Sequence, residues 1–184
     1  MSVVKEDFSV RPWGSRVFLL VPLGLFLYVF FLLIFNIDRG FDITDESFYI
    51  LWSRNPRDVL ASITQLGHYT GILYSLANGN LTVFRLLGLL FLLVTAGLFS
   101  HSLERYWRHL SGVSVSNYSR WLSLIVILAG TVAYYRYWLL TPSYNWLTLI
   151  SILLVATGLL YAAVNASDWG TNSNDNLSLF GYGF

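Results

Sequence analysis

VFLLVPLGLFLYVFFLLIF, residues 17–35, is an unbroken apolar run between Arg16 and Asn36-Ile37-Asp38. A helix needs about 20 apolar residues to cross bilayer hydrocarbon, and this run has that length. A secretory signal would carry a shorter apolar stretch, about 7–15 residues, before a small-residue cleavage site. Here the run ends Phe35-Asn36-Ile37-Asp38 instead. It reads as a retained transmembrane helix over 17–37, with Pro22 at most kinking it.

Further runs of the same kind follow at 81–100, 121–140 and 144–164. Of the 184 residues, 55% are hydrophobic and 11% charged, whereas soluble domains are about 45–50% apolar. Aromatic residues reach 17%, which suits a chain with two membrane interfaces to meet. A net charge of +1 gives no basic field for nucleic acid. With no cysteine, disulfides, thiol catalysis and Cys-ligated zinc are excluded. His68, His101 and His109 are too scattered for a metal site, so no cofactor is indicated and a divalent metal has no pattern to support it. The sequence predicts an all-α, polytopic membrane protein of about four transmembrane helices.

Residues 1–16 form a polar, basic tail and 17–164 the membrane domain. The loop 38–80 is amphipathic and is expected to form short interfacial helices, anchored by Tyr49, Trp52, Tyr69 and Tyr74. Thr44 is placed to cap a helix with Asp45 and Glu46 in its first turn. Asn55-Pro56 reads as a second helix start and Gly67 as that helix's end. Asn78-Gly79-Asn80 is a turn into the second span. Arg85, near the start of that span, is expected to snorkel to the interface. Basic residues (Lys5, Arg11 and Arg16, then Arg105, Arg108 and Arg120) cluster on one side, which places the N-terminus in the cytoplasm. The polar stretch 165–176 and the apolar restart at Leu177 read as the approach to a truncated fifth span, so the chain is expected to be a fragment.

Two groups of residues carry chemical potential. Asp42, Asp45, Glu46 and Tyr49 follow the i, i+3, i+4, i+7 spacing of one helix face. A carboxylate at a desolvated interface can serve as a general base toward a hydroxyl; the same residues also suit a solvated helix start. The second group is Arg136 with Thr141-Pro142-Ser143-Tyr144-Asn145. Thr141 as cap and Pro142 as first helical residue would expose a helix N-terminus, which binds anions, beside a cation suited to phosphate. An ordinary cap in an aromatic belt fits these residues as well. His68-Tyr69-Thr70-Gly71 adds a histidine that could line a pocket.

The order of these features resembles the N-terminal part of the GT-C superfamily of glycosyltransferases, which includes protein O-mannosyltransferases and lipid A aminoarabinose transferases. The matching residues are Asp45-Glu46 with Tyr49, then 66–71, Phe84-Arg85-Leu86 and 141–145. The resemblance implies an inverting transferase that moves a sugar from a polyprenyl-phosphate carrier to an acceptor on the outer face. It implies Asp45 as catalytic base, Glu46 as its support and Asp42 as the alternative base. Arg136, Tyr144, Asn145, His68 and Tyr49 become substrate-binding candidates. The expected location is the plasma or inner membrane rather than the endoplasmic reticulum. The rival reading is a non-enzymatic four-span protein, an assembly subunit or a small-ligand binder.

Overall fold

A computed structural model describes residues 12–40, 45–57, 65–136 and 140–180, with side chains from 17 to 166 within those ranges. Among them every regular element is an α-helix: α1 (Pro12–Phe35), α2 (Asp45–Arg54), α3 (Leu66–Leu76), α4 (Leu81–Ser111), α5 (Asn117–Arg136) and α6 (Tyr144–Phe180). Three of them are long and apolar enough to cross a membrane: α1 over Val17–Phe35, α4, and α6 over Tyr144–Ala166. Such helices are consistent with an integral membrane protein. α5, which overlaps the span expected at 121–140, lies outside that set. It begins Asn117-Tyr118-Ser119-Arg120 and ends at Arg136, which shortens its apolar middle.

α4 is the central helix. Its apolar window is 39% buried, against 11% for α1 and 17% for α6. α6 lies parallel to it: Trp146 Nε1 donates to the Gly88 carbonyl (2.9 Å) at one end, and Arg105 stacks over Tyr161 (5.2 Å) at the other. α5 runs antiparallel to α4, with Leu89 and Leu92 meeting Val132 and Tyr135 near one end and Glu104 meeting Arg120 near the other. α1 packs against α5 through Val29 and Leu33. These residues, with Leu140, Trp146 and Ile150, form one core at the end of the bundle where α1 and α5 finish and α4 and α6 begin.

Several boundaries differ from expectation, each for a local reason. α4 runs past Ser100 to Ser111, since 101–111 is rich in helix formers and includes the i,i+4 pair Glu104–Arg108. It stops at Gly112, whose left-handed φ of 63° suits glycine. α5 starts early because the Ser116 hydroxyl accepts the Ser119 amide (3.2 Å) as a cap. α6 stays helical through 165–180 rather than ending at Val164. The turn at 78–80 is as expected: Asn78 and Gly79 take positive φ, and the Asn80 side chain accepts the Val83 amide (3.1 Å) to cap α4.

Gly67 does not end a helix; it lies in the first turn of α3. A Cβ there would stand 2.4 Å from Trp52 Cδ1 and 2.7 Å from the Trp52 carbonyl. Gly71, one turn on, would meet the Ser53 carbonyl at 2.9 Å. Between them Thr70 Oγ1 and Ser53 Oγ are hydrogen-bonded at 2.7 Å. The small face of α3 thus lets the α2 backbone approach closely, as small residues do between membrane helices. Gly88 serves the same end on α4, where a Cβ would meet Pro142 Cγ at 2.6 Å, while Gly97, Gly130 and Gly158 have nothing within 4 Å.

This packing sets a contrast. Gly67→Ala is expected to destabilise the α2–α3 pair by about 1–3 kcal/mol through overpacking. Gly97→Ala in open space should leave stability unchanged or raise it by about 0.5–1 kcal/mol. Denaturant unfolding in detergent micelles, with hydrogen exchange of the α3 amides, separates the two.

Candidate functional site

The end of the bundle that carries the apolar core also carries its most costly polar group. Arg85, in the first turns of α4, and Glu46, in the first turn of α2, are both completely buried. Their ion pair is 2.9 Å long. The expectation that Arg85 snorkels outward is overturned: its guanidinium turns inward and uses every donor. Nη1 donates to the carbonyls of Ile37 (2.8 Å) and Arg39 (2.7 Å), and Nη2 to Glu46 Oε1 (2.9 Å). Longer contacts run from Nη2 to the Gly40 carbonyl (3.5 Å) and from Nε to Thr141 Oγ1 (3.4 Å). Thr141 in turn donates its hydroxyl proton to Glu46 Oε1.

The arrangement follows from helix ends. Past the last turn of α1, backbone carbonyls have no amide partners, and a cation is favoured there by the helix dipole. Arg85 meets both needs. Glu46 is favoured for the opposite reason, at the amino end of α2 and beside the amino end of α6. Removing two ions from water costs several kcal/mol each, so such a pair persists only when the surrounding hydrogen bonds are complete. Here the guanidinium's five donors are all engaged.

Thr141 is therefore not the cap of α6. That helix begins at Tyr144, with the Leu147 amide bonded to the Ser143 carbonyl (3.0 Å), which puts the cap position at Ser143 and Pro142 before it. Thr141, Pro142 and Ser143 are all buried, and the Ser143 hydroxyl finds no partner among the described residues. Tyr135 closes the turn from the other side by donating to the Leu140 carbonyl.

The sequence-predicted residues divide over this frame. Asp45 is exposed, one position round the helix from buried Glu46, so the two neighbouring carboxylates face different environments. Tyr49 shares the outer side of α2 with Asp45 and lies 6.2 Å, ring to ring, from Tyr144. Its phenol is pushed above the ordinary value of 10.0, first by burial, then by Tyr144 and Asp45, so at neutral pH it is a hydrogen-bond donor and not a base. Asn145 is half-buried and Arg136 exposed. His68 is exposed on α3 beside a shallow groove of about 490 Å³ that also involves Arg54, Pro56 and Ser75. Asp42, Thr44 and residues 137–139 lie outside the described residues. The structure thus gathers Asp45, Tyr49 and Tyr144 above the Glu46–Arg85–Thr141 group, with His68 on the adjoining helix.

Arg85 is the residue that sequence reasoning missed. A signal was present: a cation in the first turns of an apolar helix opposes the helix dipole, and it requires a counter-charge from a neighbouring loop. The chain matches no known protein family, no curated protein and no solved structure at a significant level.

The buried pair predicts a non-additive outcome. Glu46→Leu or Arg85→Met alone is expected to cost about 3–5 kcal/mol, because each strands a buried polar partner. The double variant Glu46→Leu with Arg85→Met should lose less than the sum of the singles. Unfolding midpoints of the four proteins in one detergent provide the check.

Proposed function

We propose that the chain belongs to a membrane glycosyltransferase of GT-C type, acting on a lipid-linked sugar phosphate at the membrane surface. One observation carries this reading: the Glu46–Arg85–Thr141 network pins the first turn of α2 against the start of α6. Asp45, Tyr49 and Tyr144 are thereby held together at the membrane border. In this proposal α5 crosses as a fourth span beside α1 and α4, and α2 and α3 lie in the interface. Phe48, Leu51, Tyr69, Ile72 and Leu76, all exposed, would face the acyl region.

The chemistry assigned to the site is a single displacement. Asp45 accepts the proton of the acceptor hydroxyl as its oxygen attacks the anomeric carbon. The bond from that carbon to the carrier phosphate breaks, the polyprenyl phosphate departs with the electron pair, and the configuration inverts. The phenol of Tyr49, neutral at working pH, is a donor for a sugar or phosphate oxygen. Glu46 is a positioning residue, because its carboxylate is bound to Arg85 and Thr141. The anion that meets the start of α6 is then the protein's own Glu46, so donor phosphate would rely on Arg136 and the outer side at Tyr144 and Asn145.

One observation favours the second reading, a non-enzymatic membrane protein: Asp45 is exposed in a helix first turn, where a carboxylate is favoured whatever its role. The variant Asp45→Asn separates the two. Under the transferase reading it should lower sugar transfer from a polyprenyl-phosphate donor by about 10²–10⁴-fold, with the unfolding midpoint nearly unchanged. Full transfer by Asp45→Asn in a folded protein would remove Asp45 from the mechanism.

A further inference from the structure

The opposite end of the bundle carries a second ion cluster of a different kind. Between Arg85 and Glu104 α4 has no charged residue. Their separation along the helix is about 28 Å, close to the hydrocarbon thickness of a bilayer. Glu104 therefore marks the other membrane border. There one oxygen, Glu104 Oε1, faces Nε of Arg120 on α5 (2.9 Å) and Nε of Arg108 one turn along α4 (3.5 Å). Glu104 is nearly buried, but the arginine side chains are 47% and 45% exposed. One carboxylate thus shares two guanidinium groups that remain open to a further anion.

The surroundings have the two-sided character of a lipid site. A cleft of about 650 Å³ at the α4–α5 turn runs between Glu104 and Arg120 on its polar side and Leu103, Trp107 and Val115 on its apolar side. A second cleft of about 450 Å³ shares Glu104 and Arg120 and adds Trp121. Trp107 and Trp121 are about three-fifths exposed, which suits indoles at headgroup level. The Ser116 and Ser119 hydroxyls, 3.1 Å apart at the start of α5, line the larger cleft too. Among the described side chains, α4 and α5 set Arg105, Arg108 and Arg120 against Glu104 at this end.

We propose that the cleft at the α4–α5 turn binds the phosphate headgroup of an anionic phospholipid. The Arg120 guanidinium on the cleft wall takes the phosphate, Arg108, bound to the same Glu104 oxygen beside the cleft, adds positive charge, and the apolar wall takes the upper part of the acyl chains. Basic pockets between transmembrane helices recognise such headgroups. Arginine binds phosphate through paired donors that a choline-masked headgroup does not exploit as well. Glu104 competes with the lipid for the same two side chains, so it tunes affinity downward while joining α4 to α5. This inference stands apart from the transferase reading, which concerns the other border.

The test is lipid retention by the full chain. The protein is extracted from bilayers of phosphatidylcholine with a minority of phosphatidylglycerol, and retained lipid is counted by native mass spectrometry. Phosphatidylglycerol should be retained in preference. The double variant Arg108→Gln with Arg120→Gln should lose about tenfold or more in retention, while Arg57→Gln at the far end should not. Glu104→Gln should retain more, since it releases both guanidinium groups, and a purely structural role for the cluster would not produce that gain. Equal retention of the two lipids, unchanged retention by the arginine variant, or reduced retention by Glu104→Gln would overturn the proposal. Displacement by millimolar inorganic phosphate would also overturn it, in favour of a soluble phosphate ligand. Unfolding midpoints of each variant confirm that folded protein is being compared.

Discussion

Everything at one end of this bundle depends on Arg85 having nowhere else to put its charge. A guanidinium sealed from solvent must bond through all its donors, and here those bonds reach three separate parts of the chain. The carbonyls after α1, the carboxylate of α2 and the hydroxyl before α6 are drawn to one point on α4. Apolar packing of Leu89, Val132 and Trp146 beneath supplies cohesion without direction. The charged group supplies direction, since its bonds fix the points at which the end of α1, the start of α2 and the approach to α6 meet α4.

The two ends of the bundle apply the same chemistry under opposite degrees of solvation. At one end Glu46 and Arg85 are both sealed, and the pair works as a rivet. At the other, Glu104 is nearly sealed but its arginines stand half in solvent. A sealed pair is rigid and has no capacity left for a ligand. A half-open one can exchange partners at small cost, because water and headgroups compensate for what is given up. Under the proposed reading, the surface that meets substrate lies above the rivet, with Asp45, Tyr49 and Tyr144, and not within it.

What could be read from the sequence follows the range of the interactions. The long apolar runs, the turn at Asn78-Gly79-Asn80 and the acidic first turn of α2 were legible, because each rests on contacts within a few residues. Arg85 was not. Its carboxylate partner lies 39 positions away, its hydroxyl partner 56, and its carbonyl partners carry no side-chain signature. Gly67 was misread because a glycine that ends a helix and one that admits a neighbouring backbone look alike in a single chain. Thr141 posed the same ambiguity: a hydroxyl can accept from a helix amide or donate to a carboxylate, and only the location of Glu46 decides. Of the candidate site, the co-location of the acidic turn and the 141–145 segment was foreseeable from topology, while the different environments of Asp45 and Glu46 were not.

The partners of Arg85 also impose an order on assembly. As the chain is synthesised, α1, the 37–40 carbonyls and Glu46 all precede Arg85, but Thr141 follows it by 56 residues. Until that threonine emerges, the triangle around Glu46 lacks a corner. The bundle is thus completed from its last helix inward, and a ribosome paused between α4 and α6 would leave a buried cation waiting for its final neighbour.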